Sequence, residues 1–241
     1  MIKLGITGFC GKMGQRIYAL SLHDKIFSLA AAIERSGHPD IGKKIGSVTI
    51  SDNREEIKKC DCLVDFTAPA ATMANLVYLV QYKKCAVIGT TGIDPAGQKK
   101  IKDAAKKIPI IFSPNMSIGV NVFFKLIGKA SEKLNGYSVS IEEAHHIHKK
   151  DAPSGTAKQM AKIVQEKELS VKTEDIRSIR KGEIVGDHRI VFESAVDTIE
   201  IFHSAKTRDI FASGALTAAV WISKKKTNGL YSMHDVLGLN D

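Results

Sequence analysis

Through the first half of the chain, short apolar runs alternate with amphipathic segments. Ile2 to Ile6 reads as a short buried strand, and beyond Thr7-Gly8-Phe9-Cys10-Gly11-Lys12-Met13-Gly14 a helix carries Met13, Ile17 and Leu20 on one face. Phe27 to Ile33 is a second apolar strand and ends in Glu34-Arg35. The alternation continues with a strand at Val48 to Ile50, a charged helix near Arg54 to Lys59, a strand at Cys62 to Phe66, and a helix after Thr67 with Pro69 in its first turn. A strand at Ala86 to Ile88, the turn Gly89-Thr90-Thr91-Gly92, a lysine-rich helix from Pro95 to Lys106 and a strand at Pro109 to Phe112 follow. Repeated strand-helix units predict an α/β fold with a parallel sheet covered on both faces. Ligands of such sheets sit beyond the carboxyl ends of the strands, where Asp65-Phe66-Thr67, Gly89-Thr90-Thr91 and Ser113-Pro114-Asn115-Met116 fall.

From Gly119 the pattern changes. An apolar helix to Leu134 precedes a strand at Ser138 to Ala144, a His-Lys loop, and a helix from Thr156 to Gln165. Strands near Ile176 to Ile179, His188 to Glu193 and Thr198 to His203 alternate apolar and polar residues, as a half-buried sheet does. Phe211 to Ile222 is a last buried or amphipathic helix, and Lys224-Lys225-Lys226 is a solvated helix end. A second domain is therefore expected, with no low-complexity linker between the two.

The glycine turn changes this picture from fold to chemistry. Glycines at 8, 11 and 14 permit a tight turn, close approach of a pyrophosphate, and close helix-to-strand packing. Twenty residues after the last glycine, Glu34 offers a carboxylate to an adenosine ribose, and Arg35 offers a guanidinium to a ribose 2′-phosphate. NADH, NADPH or both fit that pair.

The second centre of chemistry is Glu142-Glu143-Ala144-His145-His146-Ile147-His148-Lys149-Lys150-Asp151-Ala152-Pro153-Ser154-Gly155-Thr156. Imidazoles titrate near neutrality, and a lysine among other cations becomes a usable acid, so the stretch suits protonation of a substrate. Backbone N–H groups opening a helix, with a Thr hydroxyl beside them and Gly155 leaving room, suit a carboxylate or phosphate. A solvated turn has the same composition. Zinc is the weaker alternative, because there is no helical H-E-x-x-H and no nearby Cys pair.

At 241 residues the chain can build one large domain or two modest ones. Its net charge of +9 would suit nucleic acid, but the lysines are scattered, aromatics do not interleave with them, and anionic small ligands explain the balance as well. Cys10, Cys60, Cys62 and Cys85 lack the spacing of a disulfide or zinc framework, which suits a reducing cytoplasm. The chain opens directly on a strand-like segment and no apolar run approaches a membrane span, so no leader and no membrane partner are expected.

Taken together, Lys12-Met13-Gly14, Asp65-Phe66-Thr67, Gly89-Thr90-Thr91-Gly92, and above all Glu143-Ala144-His145-His146-Ile147-His148-Lys149 with Asp151-Ala152-Pro153-Ser154-Gly155-Thr156 resemble the dihydrodipicolinate reductase family over nearly the whole chain. The resemblance implies a Rossmann-type cofactor domain over 1–116, completed by 208–241. It also implies a substrate-binding and tetramerisation domain over 117–207, built on a mixed four-stranded sheet, and a homotetramer. By the same resemblance Gly8, Phe9, Cys10, Gly11, Lys12 and Met13 hold the pyrophosphate, Glu34 the adenosine ribose and Arg35 a 2′-phosphate. Gly89, Thr90, Thr91, Ser113, Pro114, Asn115 and Met116 hold the nicotinamide half. His145 matches the proton donor and acceptor and Lys149 the proton donor, with Lys150 offering a second ammonium one residue on. His146, Gly155 and Thr156 match binders of substrate carboxylates, and Arg208 and Phe211 match hinge positions. The implied reaction is NAD(P)H-dependent reduction of a cyclic imine bearing two carboxylates, in lysine and diaminopimelate biosynthesis, and it needs no metal.

Overall fold

The computed structural model describes residues 1–240. They form two compact units, one of residues 1–118 with 211–240 and one of residues 119–210. The first is built on an eight-stranded sheet whose strands are β1 (Ile2–Thr7), β2 (Phe27–Ile33), β3 (Lys44–Ile45), β4 (Val48–Ser51), β5 (Cys62–Asp65), β6 (Cys85–Ile88), β7 (Pro109–Phe112) and β12 (Gly229–Tyr231). Their order is β12-β7-β6-β5-β1-β2-β4-β3, parallel throughout except where β3 pairs antiparallel with β4.

The continuous apolar runs of this sheet follow from burial on both faces. Helices α1 (Lys12–Ser21) and α6 (Asp209–Ser223) close one face, where Ile17, Ala215, Ala219 and Ile222 meet Leu4, Ile6, Val64 and Val87. Helices α2 (Pro69–Gln81) and α3 (Pro95–Ala105) close the other, where Leu76, Leu79 and Ile101 meet Leu63, Ala86, Ile88 and Ile110. Each of α2 and α3 starts on a proline, whose missing N–H costs nothing in a first turn.

Beyond shifts of a residue at element ends and the added two-residue β3, the differences from expectation have local causes. Residues 54–59 form a 3-10 helix, capped by the Asn53 side chain accepting from Glu55 N–H, because the segment holds just one fully buried side chain, Ile57, to anchor a longer helix. The fifth strand stops at Asp65 instead of Phe66, since the Asp65 carboxylate takes the Thr67 N–H at 3.0 Å and turns the chain there. After the lysine run, the chain adds β12 beside β7 and a short helix α7 (Met233–Leu237) closed by a Ser232 capping box.

The second unit carries a four-stranded mixed sheet in the order β11-β10-β8-β9, from β8 (Ser138–His145), β9 (Arg177–Arg180), β10 (Gly186–Glu193) and β11 (Thr198–Ala205). One face is covered by α4 (Ile118–Lys133) and α5 (Gly155–Gln165). Phe123, Ile127, Met160 and Val164 pack there on Ile141, Ile190 and Phe192. The strand β8 runs one residue further than its pattern suggested, so His145 belongs to the sheet and not to the loop after it.

Candidate active site

In the first unit the glycine turn connects β1 to α1. Gly8 has φ +63°, the left-handed region that glycine enters at no steric cost. At Gly14 a side chain would bring its Cβ to 2.3 Å from the Gly8 carbonyl oxygen, so the helix packs on the turn only as glycine. No described side chain caps the start of α1. Its first-turn N–H groups therefore face outward as an anion-binding end, which fits a dinucleotide pyrophosphate.

The predicted cofactor residues divide by what they expose. Gly11 and Lys12 are exposed and Gly8 and Cys10 half-buried, but Phe9 is fully buried against Tyr18, so only its main chain can face a ligand. Met13 is half-buried against the core and Met116 is part of it. The Glu34 carboxylate folds back over the turn, accepting the N–H of Cys10 and that of Arg35, both at 2.9 Å. Arg35 and Thr91 are exposed, as is Pro114, while Gly89 and Thr90 are buried. Ser113 accepts the Asn115 N–H at 3.4 Å and donates to the Asn115 carbonyl at 2.8 Å, which rounds off the turn after β7.

Under these loops lies a polar network that motif reading missed. The fully buried Asp65 accepts from Thr67 Oγ1 at 2.5 Å and from Asn75 Nδ2 at 2.9 Å, and Thr72 and Thr90 share a hydrogen bond of 2.8 Å beside it. It ties the ends of β5 and β6 together where the loops must be held. Nearby, Cys10, His38 and Asp40 place ligand atoms within 4.8 Å of one another. Lys43 already supplies a cation to Asp40, and His38 Nδ1 accepts the Asp40 N–H at 3.2 Å. Burial, with the Glu34 and Asp40 carboxylates, pushes the Cys10 thiol up to about 11, so it stays protonated at neutral pH.

The second unit gathers the proton-transfer candidates. Strand alternation in β8 turns Ile141, Glu143 and His145 inward. Glu143 is buried and accepts from Arg180 through both guanidinium nitrogens, Nη1 at 3.0 Å and Nη2 at 2.8 Å, from the Ser154 N–H at 3.3 Å, and from His145 Nδ1. Burial disfavours its charge, but Arg180 and its hydrogen-bonding neighbours outweigh that and hold the carboxyl below its ordinary range. For His145 burial dominates and lowers the pKa, Glu143 works against it, and the Lys149 and Arg180 cations add to the lowering.

Lys149 is half-buried and its ammonium bonds Asp151 at 2.8 Å, whereas Lys150 is exposed. His146 faces Arg208, whose Nη2 donates to His146 Nε2 at 3.1 Å. Ser154 caps α5, its Oγ accepting the Ala157 N–H at 3.2 Å. The N–H groups of Gly155 and Thr156 are left without a partner among the described residues, and a side chain added at Gly155 would meet open space. Beside the Ser154 cap, those two open N–H groups suit a carboxylate.

Three further residues belong to this arrangement and were not foreseen. Arg180 ends β9, and His188 and His203 are a cross-strand pair on β10 and β11. The His188 ring stands edge-on to His145 at 5.2 Å, and its Nε2 lies 3.4 Å from Ser154 Oγ. Burial first, then His145 and His203, push His188 down to about 3. The available signal was alternation: the inward positions of β8 and β10 that hold Ile141, Ile190 and Phe192 also hold Glu143, His145 and His188.

Comparison with known proteins covers both units. A family model described as dihydrodipicolinate reductase, N-terminus, matches residues 2–116, and one described as dihydrodipicolinate reductase, C-terminus, matches residues 119–237. The 4-hydroxy-tetrahydrodipicolinate reductase of Geotalea uraniireducens is 39% identical, covering 99% of this chain and 100% of its own length. That of Bordetella pertussis is 39% identical over 98% of this chain and 97% of its own length. Among solved structures, dipicolinate-bound dihydrodipicolinate reductase from Paenisporosarcina sp. TG-14 superposes with a TM-score of 0.84 at 24% identity, covering 96% of this chain and 97% of that one. A diaminopimelate dehydrogenase of C. glutamicum shares the fold more distantly, with a TM-score of 0.61 at 11% identity over 96% of this chain and 93% of that one.

Proposed function

The chain belongs to the dihydrodipicolinate reductase family, and from that premise we propose that it reduces 4-hydroxy-tetrahydrodipicolinate to tetrahydrodipicolinate with NADH or NADPH, in the cytoplasmic synthesis of diaminopimelate and lysine. The observation that carries the reading is the second unit's arrangement. A Glu143-held imidazole, a half-buried ammonium and a helix start with the Gly155 and Thr156 N–H groups open all lie within Glu143 to Thr156.

Residues 1–118, completed by 211–240, are the dinucleotide domain. Main-chain N–H groups from Gly8 to Met13 take the pyrophosphate, Glu34 the adenosine ribose, and Arg35 a 2′-phosphate where NADPH is used. The turns Gly89 to Thr91 and Ser113 to Met116 take the nicotinamide half. Bound there, the reduced nicotinamide supplies a hydride.

Residues 119–210 are the substrate and assembly domain. Two substrate carboxylates meet a basic pocket: the Gly155 and Thr156 N–H groups and the Thr156 hydroxyl hold one, and His146 with Arg208 holds the other. Hydride addition to the ring carbon conjugated with C=N leaves an anion delocalised onto nitrogen. Lys149 stabilises that charge as it forms and donates a proton, and His145 gives and takes protons beside it. Where the hydroxylated ring is bound, water must leave first, and the same acids assist. This chemistry requires no metal. The half-buried Lys149, not the exposed Lys150, is the proton donor assigned here.

The test is disappearance of NADPH, and separately of NADH, on adding freshly made condensation product of pyruvate and aspartate semialdehyde. Wild type should oxidise the cofactor, and Lys149→Ala should lose about 10²-fold or more in kcat while binding the cofactor as before. Absence of turnover by cofactor-competent wild type would overturn the assignment; full turnover by the mutant would remove Lys149 from it.

A further inference from the structure

The environment of His145 has a feature that the motif does not contain: its Nδ1 is claimed by a carboxylate that is itself fixed from three sides. Glu143 accepts from His145 Nδ1, from both nitrogens of the Arg180 fork and from the Ser154 N–H. A carboxylate only accepts, so Nδ1 must carry a hydrogen, and Nε2 is left as the nitrogen that exchanges protons. The geometry points to Glu143 and Arg180 as a positioning pair that fixes the tautomer, ring orientation and acid strength of His145. This rests on the proposed role of His145 in proton transfer.

Two further contacts make Arg180 more than a counter-ion. Its Nη2 also donates to the Asp151 carbonyl at 2.5 Å, and Nη1 donates to the Ile179 carbonyl at 2.8 Å. One guanidinium thus joins the end of β9, the carboxylate on β8 and the loop leading to the anion-binding turn. The Ser154 N–H on Glu143 joins that turn to the same carboxylate from the other side. Orientation of the His145 imidazole and placement of the helix start that takes a substrate carboxylate are therefore set by one ion pair whose carboxylate is buried. Lysine cannot replace this, because it lacks the planar fork.

No described protein group hydrogen-bonds Nε2. Gly186 lies against it, and a Cβ there would come to 3.1 Å from Nε2. The charged or titratable groups facing His145 are Glu143 on its own strand, Arg180 from β9, Lys149 from the loop and His188 from β10. Glu143 is the one anion among these groups, so removing its charge leaves the imidazolium opposed by two cations. In the exchange itself, the proton is gained and lost at Nε2: when the Nε2–H bond of the imidazolium breaks, neutral imidazole remains with its Nδ1–H on Glu143.

Two experiments separate this from a purely structural role and from failure of the His145 assignment. Histidine-selective nitrogen NMR of the whole protein reports tautomer and titration of His145 without turnover. Wild type should show the Nδ1–H form, and Glu143→Gln should lower the His145 titration midpoint by about one unit or more. The midpoint of the kcat-against-pH profile should move by the same amount, with kcat at neutral pH down about 10-fold or more. An unmoved midpoint in folded Glu143→Gln overturns the positioning pair. A moved NMR midpoint beside an unmoved kcat profile overturns the role of His145 and with it this inference. Arg180→Ala should lose kcat and raise KM, and added guanidinium, but not sodium, should restore at least part of both. Arg180→Lys should not restore them; equal activity in that variant would also overturn the pair.

Discussion

At the scale of single residues, the second unit contains three imidazoles whose charged forms the fold disfavours, His145, His188 and His203, in each case mainly by burial. His188 is the extreme, pushed from 6.5 down to about 3. The native state keeps it neutral, whereas the unfolded chain protonates it below its ordinary pKa. Stability is therefore complete above pH 6.5 and falls as pH drops from there toward 3, at about 1.4 kcal/mol per pH unit for this one group. Urea midpoints at pH 7 and pH 5 should differ in wild type, and His188→Gln should reduce the difference; identical differences would show that His188 is not the group responsible. The residue was hidden in the sequence for a physical reason. The loop histidines drew notice by their density, but His188 stands alone in an apolar strand, and its meaning comes from β8 lying beside β10. Arg180 is the same case, one cation at the end of a four-residue strand until Glu143 is placed opposite it.

At the scale of elements, the legible parts were those with a period long enough to read. Pro109 to Phe112 and Phe27 to Ile33 are strands with the bounds their patterns give, and α2 begins at Pro69 because proline suits a first turn. The elements that escaped are β3 with two residues, β12 with three and α7 with five, each held by its neighbours more than by its own sequence. The turn between β1 and α1 was legible as a motif, but not in the part Glu34 takes in it. Its carboxylate holds the Cys10 and Arg35 N–H groups, so it braces the turn in addition to its proposed contact with the adenosine ribose. Glu34→Gln should weaken NADH by about tenfold, corresponding to one or two charge-assisted hydrogen bonds. NADPH should weaken less, because Arg35 still meets its 2′-phosphate. Fluorescence titration with both cofactors decides it: equal losses would mean that Glu34 acts through the turn alone and not on the ribose.

At the scale of the whole molecule, the four-stranded sheet has helices of its own unit on one face and, among the described residues, none of them on the other. Across that second face a row runs from Phe202 on β11 through Arg189 on β10 and Glu142 on β8 to Arg177 on β9, each in register with the next. The ion pairs Arg177–Glu142 and Arg189–Glu200 lie on it, and Val191 and Ala144 stand on the same side. Phe202 is 56% exposed on the edge strand, and Val196, in the adjoining turn, is 90% exposed. An edge strand with exposed apolar side chains and unpaired main-chain groups is a surface that folded proteins normally cover. The proposed homotetramer would cover it with a second copy of the same sheet, since a two-fold axis sets the same patch against itself. Phe202→Asp places a charge in that patch and leaves the opposite, core-forming face of β11 untouched. Light scattering should show wild type as a tetramer and the variant as smaller species, while circular dichroism of the two stays alike. A variant that keeps the wild-type mass would place the assembly surface elsewhere on the molecule.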